Sequence, residues 1–512
     1  MGVQTEVKSS AVAGEHGHET DTASADQLLA SLGYTAELSR NRSTLQVAFM
    51  SFVLASIPYG LATTLYYPLV CGGPVDIIWG WVAVSLIIIC VASSLGEITS
   101  VYPTAGGVYY QAWMLAPVSY RRFAAWVCGW LFVVGNITIT LSVNFATALF
   151  LVGCINVFQT ADGGDVLAGS AYQVFLIFLA ITLLCNVVCA LCNKWLPILD
   201  TFAIFWTFAG VIAILITVLV VAKNGRHDAK YVFGHFEVNS GWTPGWSFFV
   251  GLLHAAYATS STGMIISMCE EVRAPATQVP KAMVLTIVIN TVAGLLFMIP
   301  LIFVLPDIQE LILLAQPVPA IIKSAVGNSG GAFGLLIPLL VLGIICGIGC
   351  TTAASRCVYA FARDGAIPGS KWWKVVHPKL DVPLNGMMLS MVVQILLGLI
   401  YFGSSAAFNA FSGVGVIALT AAYAVPIVVS MLEGRKTVAT GQFYLGSLGW
   451  VCNIISVAWS ALAIPLFSMP TTVPVIDPAL ANYAPVVFVG FTLISLGWYV
   501  AWGRKNYTGP PT

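Results

Sequence analysis

Two apolar segments of this chain carry, in their middles, residues that spoil a helix and residues that hold small polar molecules. Val53–Val70 is interrupted by Ile57-Pro58-Tyr59-Gly60, with Leu61 following. Phe248–Cys269 is interrupted by Thr259-Ser260-Ser261-Thr262-Gly263, with Tyr257 just ahead of it. Proline removes a backbone donor and clashes with the preceding turn, and glycine adds freedom, so Pro58 and Gly60 are expected to open the helix for about one turn. Serine and threonine compete for backbone hydrogen bonds, and Gly263 loosens what remains. Freed amides and carbonyls then become ligands, and half-helix ends present partial charges. Tyr59 and Tyr257 add ring faces that attract a cationic amine and hydroxyls that bond a carboxylate. The plain alternatives are a proline kink, a small-residue helix interface and aromatic packing.

Further groups flank the breaks. His254 lies about one turn before the second and is the only histidine inside an apolar segment. An ionisable group at membrane depth points to function, and a histidine suits proton coupling; a neutral, hydrogen-bonded histidine is the alternative. Glu97 ends an apolar run and leads into a stretch with Pro103, Gly106 and Gly107, read as a tight re-entrant turn. Glu270, Glu271, Arg273 and Lys281 form a charged cluster after the second break. Ion pairs that hold a gate closed are one reading, solvated helix ends the other. Thr351, Thr352 and Ser355 offer hydroxyls that either ligate a sodium ion with carbonyls of the first break or bond their own preceding turn.

These residues sit on an all-α frame. Of 512 residues, 58% are hydrophobic and 8% charged, with mean hydropathy +0.90. Soluble domains average about 25% charged. This is a polytopic membrane protein, since so few charges cannot cover a water-exposed surface. At roughly 20 apolar residues per crossing, the chain reads as about twelve spans: 46–70, 75–97, 124–153, 172–192, 196–222, 247–269, 282–305, 332–355, 383–402, 407–431, 447–468 and 484–502. With both termini cytosolic, 17 of the 21 Lys and Arg fall inside, as the positive-inside rule asks. The breaks then fall in spans one and six, equivalent positions if spans 1–5 (46–222) and 6–10 (247–431) are repeats, with 447–502 as spans 11–12. Residues 1–45 read as a mostly disordered cytosolic tail with a short surface helix over Leu28–Leu38, and 503–512 as a second tail. Zero net charge gives no field for nucleic acid. The twelve cysteines lack metal-site spacing; Cys71 and Cys154, both near outer ends, leave one disulfide open. No catalytic set, metal cluster or cofactor signature stands out, so enzyme and channel readings are weak.

The stretches GEITSVYPTAGGVYY (96–110), CEEVRAPATQVPKA (269–282) and SRCVYAFARDGAIP (355–368) resemble signatures of the amino acid–polyamine–organocation superfamily. The closest resemblance is to the fungal amino acid/choline subfamily, with choline and GABA permeases. HAAYATSSTGMIISMCEEV (254–272) looks nearer the choline type. The resemblance implies a leucine-transporter-type fold, two inverted five-helix repeats plus two helices. It implies a substrate site at Ile57–Leu61 and Tyr257–Gly263, and import of a small amine or amino acid, usually with protons. Many relatives carry a lysine deep in span five where others hold sodium; Ile204–Thr207 supplies none. The expectation is a plasma-membrane symporter for a small amine or amino acid, with choline and GABA leading and the proton favoured over sodium as partner. A vacuolar or efflux carrier and a non-transporting nutrient sensor are the alternatives.

Overall fold

A computed structural model describes residues 23–40, 42, 44–160, 164–403, 407–476 and 481–511. Among them the architecture is all-α, with isolated bridges and no strand. Twelve helices are long and apolar enough to cross a membrane. They run Gln46–Thr63, Asp76–Val101, Arg121–Ile155, Ala171–Leu191, Asn193–Val221 and Pro244–Glu271. The second six are Pro275–Phe303, Ser329–Arg363, Leu384–Phe402, Ala410–Leu432, Leu448–Leu466 and Ala484–Asn506. The apolar runs of the sequence place all twelve. Spans three and eight, at 35 residues each, run past the hydrophobic stretch that marks them.

The exposed faces identify the lipid-facing helices. Span twelve is only 6% buried within the bundle and span five 28%, whereas span six is 94% buried. Span six is thus the central strut, and span one, at 83%, is its neighbour. Leu493, Ile494 and Val500 project outward from span twelve, which suits hydrocarbon and would not suit water.

Residues 1–22 and the isolated positions 41 and 43 lie outside the described residues. Residues 23–40 correct the expectation of a free tail. Helix covers 23–31, not Leu28–Leu38. Leu29, Tyr34 and Leu38 are buried against the bundle. Polar composition hid these three anchors, which are spaced too far apart to read as an apolar run. Residues 503–511 also fold back. The Tyr507 ring lies 5.2 Å from that of Trp126, and Pro511 packs on Gly33, whose φ of +85° is left-handed and where a Cβ would lie 2.7 Å from the proline ring. Residues 23–40 and 503–511 therefore close over the same end of the bundle, the terminal end.

Candidate functional site

The first break lies one residue earlier than the sequence places it. Ile57-Pro58-Tyr59-Gly60 is helical, within Ile57–Thr63. The interruption is Ser56, whose φ of 40° and ψ of 50° are left-handed. Its cause is still Pro58. A proline cannot donate to the carbonyl four residues back and its ring collides with it, so the chain must turn aside before Pro58. Pro58 then occupies the first turn of a new helix, where a missing N–H costs nothing. A left-handed non-glycine residue costs about 1–2 kcal/mol, and the Ser56 hydroxyl offsets part of this by donating to the Val53 carbonyl at 2.5 Å. The carbonyl Pro58 leaves behind, that of Leu54, accepts the Ser261 hydroxyl at 2.8 Å. One break thus feeds the other.

The second interruption also differs from expectation. The chain does not open at Thr259–Gly263; it winds tighter. Leu253–Thr259 is α-helical and Ser260–Glu271 is a 3-10 helix of 12 residues, where runs beyond 3–4 residues are uncommon. Hydroxyls bonded back into the preceding turn accompany the change. Ser260 donates to Tyr257 O at 2.8 Å and Thr262 to Thr259 O at 2.6 Å. Gly263 has no side chain because the Tyr423 ring is there: a Cβ would sit 2.5 Å from it. Tyr423 donates in turn to Ser260 O at 3.0 Å. Gly60 packs directly on Ala258, where a Cβ would lie 3.2 Å from the alanine methyl.

Two small cavities flank the contact. The first, about 20 Å³, is lined by Leu54, Ala55, Tyr59, Gly60, Ile139, Val143, Tyr257, Ala258, Ser260, Ser261 and Cys346. The second, also about 20 Å³, is lined by Thr259, Ser260, Thr262, Tyr423, Trp459 and neighbours. Each holds about one water. The expected site residues are thus divided. Tyr59, Gly60, Tyr257 and Ser261 face one cavity, Thr259 and Thr262 the other, and Ser260 both. Ile57, Pro58, Leu61 and Gly263 line neither; they shape the backbone.

Tyr59 donates to Val143 O at 2.9 Å and meets the Thr147 hydroxyl at 2.7 Å. Ser142 donates to the Tyr257 hydroxyl at 3.1 Å. Both tyrosine hydroxyls are therefore taken up by span three. Ser142, Val143 and Thr147 were missed in the sequence, although the run from Gly135 to Thr147 holds unusually many hydroxyls and amides for a membrane span. Tyr423 and Trp459 carry no sequence signal beyond being aromatic. No Asp, Glu, Lys or Arg lines either cavity.

The charged candidates sit elsewhere, at the terminal end. Glu271 pairs with Arg356 at 2.6 Å and with Arg42 at 3.6 Å. Arg42 also reaches Asp200 at 2.5 Å. Glu270 pairs with Arg363 at 2.8 Å and accepts the Ala105 amide at 3.0 Å, which ties the 102–106 turn to span six. Glu97 pairs with Arg435 at 2.5 Å. Arg273 and Lys281, expected in this cluster, form no ion pair among the described residues. Arg42, Arg356, Arg363 and Arg435 do that work from distant parts of the chain. Thr352 and Ser355 donate to Ile348 O and Thr352 O, the own-turn alternative; only the Thr351 hydroxyl is buried without a partner. His254 is buried with its Nε2 unpartnered. Cys71 and Cys154 are both free thiols.

Twelve apolar helices, two of them interrupted face to face at the centre, define a multi-pass membrane carrier. The chain belongs to the amino acid permease family, whose profile matches residues 43–491. It is 31% identical to the choline transporter of Saccharomyces cerevisiae, across 92% of this chain and 83% of that one. It is 30% identical to amino-acid permease BAT1 of Arabidopsis thaliana, across 94% and 95%. It is 30% identical to polyamine transporter TPO5 of Saccharomyces cerevisiae, across 89% and 74%. The protein is accordingly a transporter of amino acids or organic cations and not an enzyme.

Proposed function

We propose that the protein imports a small organic amine across the plasma membrane by proton-coupled symport, with choline the leading substrate and GABA the second. Both termini are then cytosolic. The observation that carries this reading is the charge-free, tyrosine-lined contact between spans one and six. A quaternary ammonium makes no ion-paired hydrogen bonds and is held by aromatic faces, which Tyr59 and Tyr257 supply. A substrate carboxylate, where present, goes to the half-helix starting at Ile57, whose N-terminal amides favour an anion. Spans 1–5 and 6–10 act as the two repeats, and rocking between bundles enlarges the closed cavities on alternate sides. A proton is favoured over sodium because Val53, Ala203 and Ile345 fill the contact of spans one, five and eight with apolar groups.

The test is uptake of labelled choline, ethanolamine, GABA and common amino acids into cells lacking their own carriers, with a protonophore and with sodium replaced. Choline uptake abolished by the protonophore and indifferent to sodium is expected, and Tyr257→Ala should reduce it at least tenfold. Uptake at empty-vector level for the whole panel overturns the reading, and a fluorescent tag confined to an internal membrane moves it to an organellar carrier.

A further inference from the structure

At the end of the bundle away from the termini, span two begins with an aspartate that the transport reading does not use. Asp76 is 1% exposed. Its carboxyl lies where the far halves of the two broken spans meet, Tyr66–Cys71 following span one and Pro244–Gly251 opening span six. Glycines make the niche. A Cβ on Gly251 would lie 1.7 Å from Oδ2, one on Gly80 2.8 Å from Oδ1, and one on Gly72 2.7 Å from the aspartate Cβ. Three positions are thus vacated for one carboxyl, yet neither of its oxygens has a hydrogen-bond partner among the described residues. The Ser247 hydroxyl donates to Cys71 O at 2.5 Å and joins the same two half-helices.

Among the described residues no base is bonded to it. Tyr66–Cys71 offers Tyr66, Tyr67 and the Cys71 thiol, and Pro244–Gly251 offers no titratable group. Residues 235–237 offer His235 and Glu237, which pair with each other at 3.2 Å. His254 lies one turn deeper along span six, and span two itself brings no further charge until Glu97. Enclosing a bare carboxylate costs several kcal/mol, more than this niche returns.

We propose that Asp76 is the proton-binding site that gates the far end: the two half-helices close only over the protonated acid, and the carboxylate holds them apart. The step is a proton transfer from the outer water to one carboxylate oxygen, before closure, with no other bond made or broken. His254, with its free Nε2, is the next acceptor inward. This rests on the proton-symport reading above and names the group that reading lacks.

The test labels the full-length protein in proteoliposomes with a membrane-impermeant maleimide at about pH 5.5 and about pH 7.5 and reads the Cys71 and Cys154 peptides by mass spectrometry. Cys154, buried at the same end but away from Asp76, corrects for the pH dependence of thiol chemistry. The Cys71-to-Cys154 ratio should rise about tenfold with pH in the wild type, as a gate biased by a single ionisation would give, and stay constant in Asp76→Asn. A constant ratio in the wild type overturns the proposal without any variant. A rise that persists in Asp76→Asn, or in Asp76→Ala where the amide variant misfolds, overturns it as well. Choline uptake separates the two readings. Protonophore-sensitive uptake that survives unchanged in Asp76→Asn removes Asp76 and leaves the symporter; absence of uptake removes the symporter and leaves the labelling result standing.

Discussion

The two ends of the bundle are closed by opposite means. At the terminal end, Glu97, Glu270, Glu271 and Asp200 are buried, and each has an arginine within 2.8 Å. At the far end the buried acid, Asp76, has no partner among the described residues, and closure rests on apolar contact, main-chain bonds such as Asn239 N to Val70 O and hydroxyl bonds such as Ser247 to Cys71 O. A paired, desolvated charge is costly to separate because each half is stranded. A lone acid is costly only while charged. The terminal end is therefore a latch broken by pulling ions apart, and the far end one that opens when a proton leaves.

The largest effect should come from stranding a charge at the terminal end. Glu97→Ala leaves the Arg435 guanidinium buried, 2% exposed, and should cost about 3–5 kcal/mol. Loss of monodisperse protein or a steep fall in Tm reads this out, and the double variant Glu97→Met with Arg435→Met should regain most of it. An unchanged Tm in the single variant would break the contrast.

Asp364 bounds the contrast, as a terminal-end acid held by tyrosines and not by an ion pair. It lies just past span eight and accepts the hydroxyls of Tyr34 at 3.0 Å and Tyr109 at 2.7 Å. Burial raises its pKa to about 6, with Arg363 and the two tyrosines opposing. The folded latch thus binds its proton more tightly than the unfolded chain, so stability is fully present below about pH 4 and declines as pH rises to about 6. The loss is on the order of 3 kcal/mol. Hydrogen exchange in residues 24–40 should quicken across that window, and Asp364→Asn should abolish the pH dependence. A flat wild-type profile would show that Tyr34 docks without regard to charge.

Between the ends, Gly263→Ala forces a methyl into the Tyr423 ring and should cost about 1–3 kcal/mol, measured as a lower Tm and slower uptake. Smallest in its effect on the whole fold is Ser247→Ala, which removes two neutral bonds, to Cys71 O and to the Ser240 hydroxyl at 2.6 Å, each worth about 1 kcal/mol. It should raise Cys71 labelling several-fold without shifting Tm, because it loosens only the far end. Equal disturbance of both ends would mean that they move as one body.

The frame was readable because apolar runs are local. Pro58 flagged the first break within two residues of Ser56, and Thr259–Gly263 flagged the second. What the residues could not announce was the geometry that resulted: a single left-handed serine, and a tightened helix where an opened one was expected. The partners were hidden by distance along the chain. Glu97 meets Arg435 338 residues later, and Tyr359 meets Glu37 322 residues earlier. Asp76 escaped notice for the opposite reason. An acid at the start of a helix is ordinary in sequence, and only the glycines around it show that water has been excluded.

Twelve consecutive residues of span six are wound with three residues per turn. Such a coil advances about 2.0 Å per residue where the ordinary winding advances about 1.5 Å. Rewinding Ser260–Glu271 would shorten the strut by about 6 Å, a little over one turn of pitch. Glu270 and Glu271 stand at its foot, clamped by arginines on other helices. A change of winding beside the tyrosines would be delivered to those clamps as a pull along one axis, so that span six joins the cavity and the latch as one rod.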